Sequence, residues 1–160
     1  MQSIIVGSRT ARIIITGAPG TGKSTILKGL AAKGYPVLPE MARQLIAEQQ
    51  ALDSDLLPWK DHLSFGAELF KRQKQQYAEA LEGQRNFYDR GIPDNLGYLR
   101  RDKLRNTLWE AEARNYPYHH QVFLCPPWEE IYGKDAVRWE ELDLMLEIHQ
   151  ALEGIYQDFG

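Results

Sequence analysis

The sequence predicts an α/β protein whose parallel sheet is covered by helices on both faces. Three observations carry this. Short strand-like runs (residues 12–16, "YPVLP", "RNFYD" and "HQVFLC") alternate with longer stretches of helical spacing. Strands separated by helices pair in parallel and are buried on both sides. Buried-looking helices also fill the connections, so nothing resembles an interdomain linker, and 160 residues suit one domain. A chain of that size buries roughly 68–70% of its unfolded surface.

The elements follow in order. Residues 1–11 read as a flexible lead-in and residues 12–160 as the domain. Residues 12–16 form a buried strand, a β-branched run bounded by Gly17. A helix over 22–33 has Ile26, Leu27 and Leu30 on one face and Gly34 as its stop. "YPVLP" is a short second strand. Met41, Ala42, Leu45 and Ile46 then space out a helix over 40–50, and 53–58 is a loop ended by proline. The longest helix is expected over 59–82, with Leu63, Gly66, Phe70, Tyr77 and Leu81 recurring every three to four residues and Gly83 ending it. "RNFYD" is the third strand. Helical pieces over 93–101 and 103–114 lead to the fourth strand, "HQVFLC". A polar connection, "PPWEEIYGKDAVRW", precedes a last helix over 139–159 carrying Leu142, Met145, His149, Leu152 and Tyr156 on one side.

Composition excludes several classes. A net charge of −3 argues against broad nucleic-acid binding, although 19 Lys and Arg leave room for a local basic pocket. No apolar run approaches the roughly 18 residues of a membrane span, and the start lacks a secretory pattern. The single Cys125 rules out an internal disulfide and fits a reducing cytoplasm, where the protein is expected. In "QVFLCPP" it reads as a small apolar residue at a strand end.

One stretch, "IIITGAPGTGKST", carries chemistry. Gly17, Gly22, Lys23 and Ser24 match G-x-x-x-x-G-K-[ST] between a strand and a helix, where the mechanism requires it. Glycines let consecutive N–H groups converge on phosphate oxygens, and the helix N-terminus adds partial positive charge. The phosphate cradle therefore runs through Gly17, Ala18, Pro19, Gly20, Thr21, Gly22, Lys23, Ser24 and Thr25. Lys23 should reach the β- and γ-phosphates, Ser24 should ligate Mg²⁺, and Thr25 should lie near the α-phosphate.

Asp89 in "NFYDRGIPD" stands where many such proteins place a second, metal-holding carboxylate. Arg90 follows it, not the glutamate that large ATP-driven machines use to polarise water. The pair resembles the Asp-Arg motif of nucleotide kinases such as thymidylate kinase, which helps hold acceptor and metal near the γ-phosphate. Otherwise Asp89 caps a turn and Arg90 pairs with an acidic neighbour. Asp94 reads first as a helix N-terminal charge and second as a substrate contact.

Glu40 follows the second strand, where deoxynucleoside kinases carry a glutamate that takes the acceptor hydroxyl's proton. Arg43 lies one turn later on the same face, so the two could meet a hydroxyl and an anion, or form an exposed ion pair. In the connection after the fourth strand, about 126–139, Arg138 and Lys134 are the cations able to serve a lid. Arg138 suits this better, being planar and permanently charged. Trp128 and Tyr132 read as packing for the lid base. Arg100, Arg101, Lys103 and Arg105 read as a solvated helical face, with acceptor binding second. His119 and His120 lack partners at zinc spacing.

Together "GAPGTGKST", "PEMARQLI", "FYDRGIPD" and "VFLCPPWEEIYGKDAVR" resemble a family of small P-loop AAA-domain ATPases similar to the kinase domain that phosphorylates ribosylnicotinamide. The resemblance implies a three-layer P-loop NTPase sandwich with sheet order 2-3-1-4-5, binding ATP and Mg²⁺. It places phosphate on Gly20, Gly22, Lys23 and Ser24, Asp89 beside the metal, and Arg138 in the lid. The family's fifth strand follows the last helix; this chain stops at "YQDFG", so order 2-3-1-4 is expected here. The function expected is transfer of the ATP γ-phosphoryl to a hydroxyl of a small nucleoside- or nucleotide-like metabolite. The alternative is an ATPase or nucleotide-dependent switch acting on a protein partner. A Ras-like GTPase is disfavoured without an Asn-Lys-x-Asp motif, and a remodelling machine by size. Partners are ATP and a small acceptor, with no nucleic acid and no membrane; a homodimer stays open.

Overall fold

The computed structural model describes residues 9–128 and 136–160, with side chains throughout except those of 136–140. Four parallel strands, β1 (Ala11–Gly17), β2 (Val37–Leu38), β3 (Arg85–Asp89) and β4 (Phe123–Cys125), form one sheet in the order β2-β3-β1-β4. Among the described residues six helices connect and cover them: α1 (Lys23–Ala32), α2 (Met41–Ala51), α3 (His62–Tyr77), α4 (Ile92–Arg101), α5 (Thr107–Ala113) and α6 (Ala136–Phe159).

β1 sits in the middle, so its isoleucines are buried on both faces. Ile13 and Ile15 pack with Leu27 of α1, Phe87 and Cys125. Ile14 points the other way, onto Leu38 and Tyr88, with Tyr118 and Tyr156 beyond. Register aligns Ile15 with Asp89, and Gly17 with Cys125. The carboxyl ends of β1, β3 and β4 therefore open on one edge, where α/β sheets bind ligands. On the second face α4 and α6 pack together through Ile92, Leu96, Leu99 and Ile155.

The sheet order is the one the family resemblance implies, and the ten described elements follow the sequence pattern, while several boundaries move. α3 runs only from His62 to Tyr77, and α6, with 24 residues, is the longest helix. Asp61 caps α3 by accepting from Ser64 N at 3.0 Å, which starts it late. At its end the Tyr77 carbonyl accepts from Arg12 Nε at 2.9 Å and from the Tyr88 hydroxyl at 3.1 Å, and beyond it Asn86, a buried amide, holds the turn: its Oδ1 accepts from Leu81 N and its Nδ2 donates to the Leu81 and Gln84 carbonyls. The turn after α3 is thus organised from β3, through contacts that local pattern cannot show. The buried face of α3 also differs: Phe65, Gly66, Leu69, Phe70, Gln73 and Gln76 face inward, whereas Leu63 and Leu81 are exposed. α5 begins after Asn106, whose side chain accepts from Trp109 N, and not at Lys103, which has a left-handed φ of 59°. Among the described residues no helix is long and apolar enough to cross a membrane.

Candidate active site

The loop between β1 and α1 curls as its glycines allow. Gly17, Gly20 and Gly22 have φ of 146°, 75° and 87°, a region that side chains disfavour. At Gly17 a Cβ would also lie 2.5 Å from the Cys125 carbonyl oxygen. Gly22 is the N-cap of α1. No side chain caps that end, and its first turn holds no acidic residue. Uncapped helix N-termini of this kind, with their free amides and dipole, are able to receive an anion. Thr21 Oγ1 donates to Ala18 O at 2.8 Å, and Lys23 Nζ to the same oxygen at 3.4 Å. Lys23 is buried; desolvation, then the charge of Arg90, holds its ammonium below its ordinary pKa. Asp89, Glu40 and Asp94 pull the other way.

Four further sequence candidates converge beside this loop. Glu40 is the N-cap of α2 and Arg90 follows β3 directly. Arg90 holds a left-handed φ of 67° while buried to 7% exposure, a strained backbone fixed by its partners. Its Nε donates to Glu40 Oε1 at 3.2 Å, its Nη1 lies 3.5 Å from Asp94 Oδ1, and its guanidinium stands over the Tyr98 ring. Arg43 is exposed and reaches Glu40 only at 3.7 Å. Asp94 is fully engaged: it accepts from Gly91 N at 2.8 Å and from the hydroxyls of Thr16 and Tyr156. This matches the helix-start reading of Asp94 and joins β1, α4 and α6 at one carboxylate.

Asp89 ends β3 with Oδ1 buried and without a hydrogen-bond partner. Burial, then the charge of Glu40, pushes its carboxyl above the usual aspartate pKa, with Lys23 and Arg90 opposing. A buried, unpaired carboxylate oxygen beside a phosphate loop fits a hydrated cation. Among the described residues no group of three or more His, Cys, Asp or Glu forms an all-protein metal site.

Two cavities meet here. One of about 280 Å³ is lined by residues 19–24 with Glu40, Arg43 and Arg90. The other, about 450 Å³, shares Pro19, Glu40 and Arg90 with it and runs back between α2, α3 and α4. Its wall is apolar at Met41, Ile46, Phe65 and Leu69, with Gln73, Asn95 and the His62–Asp102 pair (2.6 Å) supplying polar groups. That volume is typical of small-molecule sites, roughly 300–1,000 Å³. A third space of about 420 Å³ lies elsewhere, lined by Tyr116, Tyr118, His119 and Phe159, and contains none of the loop residues.

The basic cluster splits. Arg100 and Arg105 both pair with Glu110, and Arg100 also with Asp158, so they brace α4, α5 and α6. Arg101 pairs with Asp102 and joins the wall of the larger cavity. Trp128 is 55% exposed, not packed as a lid base. Tyr132 and Lys134 lie outside the described residues, as does the side chain of Arg138. Sequence reasoning missed Gln73, Asn95, Thr16 and Tyr98. The signal for Gln73 was available: it continues the three- to four-residue stripe of Phe65, Leu69 and Phe70, a polar residue on a buried face.

A family model described as an AAA domain matches residues 12–160. No curated protein matches the sequence. Among solved structures, one described as "Crystal structure of NadR protein in complex with NR" is similar, with a TM-score of 0.70 at 19% identity over 94% of this chain. This chain spans 41% of that protein's length, and at such identity the likeness is one of fold.

Proposed function

This chain belongs to the AAA-domain family, a P-loop family whose membership carries nucleotide binding with it, and from that premise we propose that it is a small-molecule kinase. It transfers the γ-phosphoryl of ATP to a hydroxyl of a nucleoside- or nucleotide-like acceptor. The observation that carries this reading is the shared wall. Glu40 and Arg90 border both the phosphate-loop cavity and the larger, half-apolar one. Hydrolysis needs no second organic pocket at that position; transfer does.

On this reading the phosphate tail lies in the cradle of Gly17–Thr25, with Lys23 on the terminal phosphates. Ser24 and Asp89 would hold Mg²⁺, whose charge offsets that of the phosphates. The acceptor hydroxyl is placed at the junction, where Glu40 takes its proton as the new O–P bond forms. The electron pair of the broken Pγ–O bond leaves with ADP. Arg90 orients Glu40 through the 3.2 Å bond and adds positive charge beside the developing phosphate oxygens. Arg43, exposed at the mouth, suits an acceptor's anionic group, and Arg138 would bring a further cation from the start of α6. The single buried thiol, Cys125, suits a cytoplasmic enzyme. ADP release measured with nucleosides, nucleotides and vitamin precursors tests the reading. Release should rise with one acceptor class; release indifferent to every acceptor but changed by a protein partner would support a switch instead.

A further inference from the structure

Arg90 is held at four points. Its backbone N–H donates to Ile15 O of β1 at 3.0 Å, and its side chain meets Glu40, Asp94 and Tyr98. The three side-chain contacts respond differently to turnover. Glu40, as the base, gains a proton while the O–P bond forms, and a neutral carboxyl holds a guanidinium less strongly than a carboxylate does. Asp94 lies 3.5 Å from Nη1 and already accepts from Gly91 N, Thr16 and Tyr156. The Tyr98 ring stands 5.6 Å from the guanidinium, and it attracts through a permanent quadrupole that no proton transfer alters.

Tyr98 is itself well placed for this. It lies one helical turn beyond Asp94 on the same face of α4, and both line the larger cavity with Arg90. The ring packs against the cluster of Ala18, Ile148 and Leu152, so residues of the phosphate loop and α6 back it. Arg101 also stands over the ring, at 5.5 Å, but Asp102 balances its charge through a 2.8 Å bond. Arg90 needs such support more than most residues, because its backbone holds a left-handed φ of 67° that a loosened side chain would let relax.

Resting on the kinase reading above, we infer that Tyr98 is the positioning residue that keeps the Arg90 guanidinium at the junction while Glu40 is protonated. The ring does this, not the hydroxyl. Its contribution is greatest in the transition state, where the hold of Glu40 weakens and charge builds on the phosphoryl oxygens. The effect therefore falls on kcat and not on the KM for ATP.

Two variants of the full chain separate ring from hydroxyl. Tyr98→Phe keeps the π face, and Tyr98→Met keeps an apolar side chain without one. Turnover is measured with ATP, Mg²⁺ and adenosine, cytidine, guanosine or uridine as acceptor. Tyr98→Phe should stay within threefold of wild type, and Tyr98→Met should lose tenfold or more in kcat, with the KM for ATP and the affinity for a non-hydrolysable ATP analogue within threefold. A second readout needs no acceptor. Glu40→Gln imitates the neutral base, and in that background the hydrogen exchange of Arg90 Nε–H is followed by NMR, the signal being identified by its loss in Arg90→Asn. Exchange should stay slow when Tyr98→Phe is added and become at least tenfold faster when Tyr98→Met is added. Equal exchange in the two double variants, turnover as low in Tyr98→Phe as in Tyr98→Met, or loss of analogue binding alongside kcat would each overturn the inference and leave the kinase reading intact. If no nucleoside is phosphorylated, the kinase reading is what suffers, and the exchange rates alone decide the role of Tyr98.

Discussion

Arg90 Nε donates to Glu40 Oε1 across 3.2 Å, joining the residue after β3 to the residue before α2 at the wall between two cavities. If Glu40 is the base, Glu40→Gln keeps the shape and removes the charge. kcat should fall by roughly 10²–10⁴, as for loss of a general base, with the KM for ATP little changed. Steady-state kinetics over both substrates checks this. A change confined to KM would place Glu40 in ground-state binding.

Arg90→Asn separates charge from backbone strain, because asparagine tolerates the left-handed conformation of φ 67°. The variant should fold, with turnover lowered by roughly 10²–10³, the usual effect of removing one transition-state donor. Circular dichroism with kinetics reads both. Turnover within threefold of wild type would remove Arg90 from the reaction.

Lys23 is buried, and its ammonium is disfavoured by desolvation. Lys23→Met should therefore leave the unfolding midpoint of the nucleotide-free protein unchanged or raised, while ATP binding and turnover are lost. A large fall in midpoint would show that the lysine holds the loop together instead.

Asp89 gives a pH dependence with a definite sign. Its folded pKa lies above the ordinary value of about 3.9. Its contribution is fully present below that value and is lost as pH rises through the raised folded pKa. Without nucleotide or Mg²⁺, Asp89→Asn should be more stable than wild type at neutral pH and should not share this loss. Urea unfolding from pH 4 to 7 measures the difference. The same variant should lose Mg²⁺-dependent turnover; identical pH slopes would refute the electrostatic account.

Tyr156→Phe removes one of three donors to the buried Asp94 carboxylate. A destabilisation of about 1–3 kcal/mol is expected, with turnover nearly unchanged, because Asp94 braces the site and does not react. Denaturant titration beside kinetics checks both; lost turnover at unchanged stability would move Asp94 into the chemistry.

The sequence carried the phosphate loop, the first strand and Asp89-Arg90 because each is local: glycines at fixed offsets, a β-branched run, a strand end; the sheet order came only with the family resemblance. It did not carry the Glu40–Arg90 bond, since 50 positions separate the partners and only the parallel register brings β2 and β3 side by side. The last carbonyl of α3, on Tyr77, is taken by Arg12 and Tyr88 of two strands, and Asn86 holds the turn beyond it, so periodicity alone overestimated the helix. Tyr156 reaches Asp94 from a helix 62 residues away, and no local pattern marks such a contact. Gln73 was legible as a polar break in an apolar stripe, but what it faces depends on how α3 packs on α4.

The most direct measurement follows the fate of the terminal phosphate. Wild-type protein is given ATP labelled at the γ-phosphoryl, Mg²⁺ and the acceptor panel under single-turnover conditions, and the products are separated. Label should appear covalently on an acceptor hydroxyl, with little in inorganic phosphate. Label found wholly in inorganic phosphate, at a rate no acceptor alters, would contradict the account.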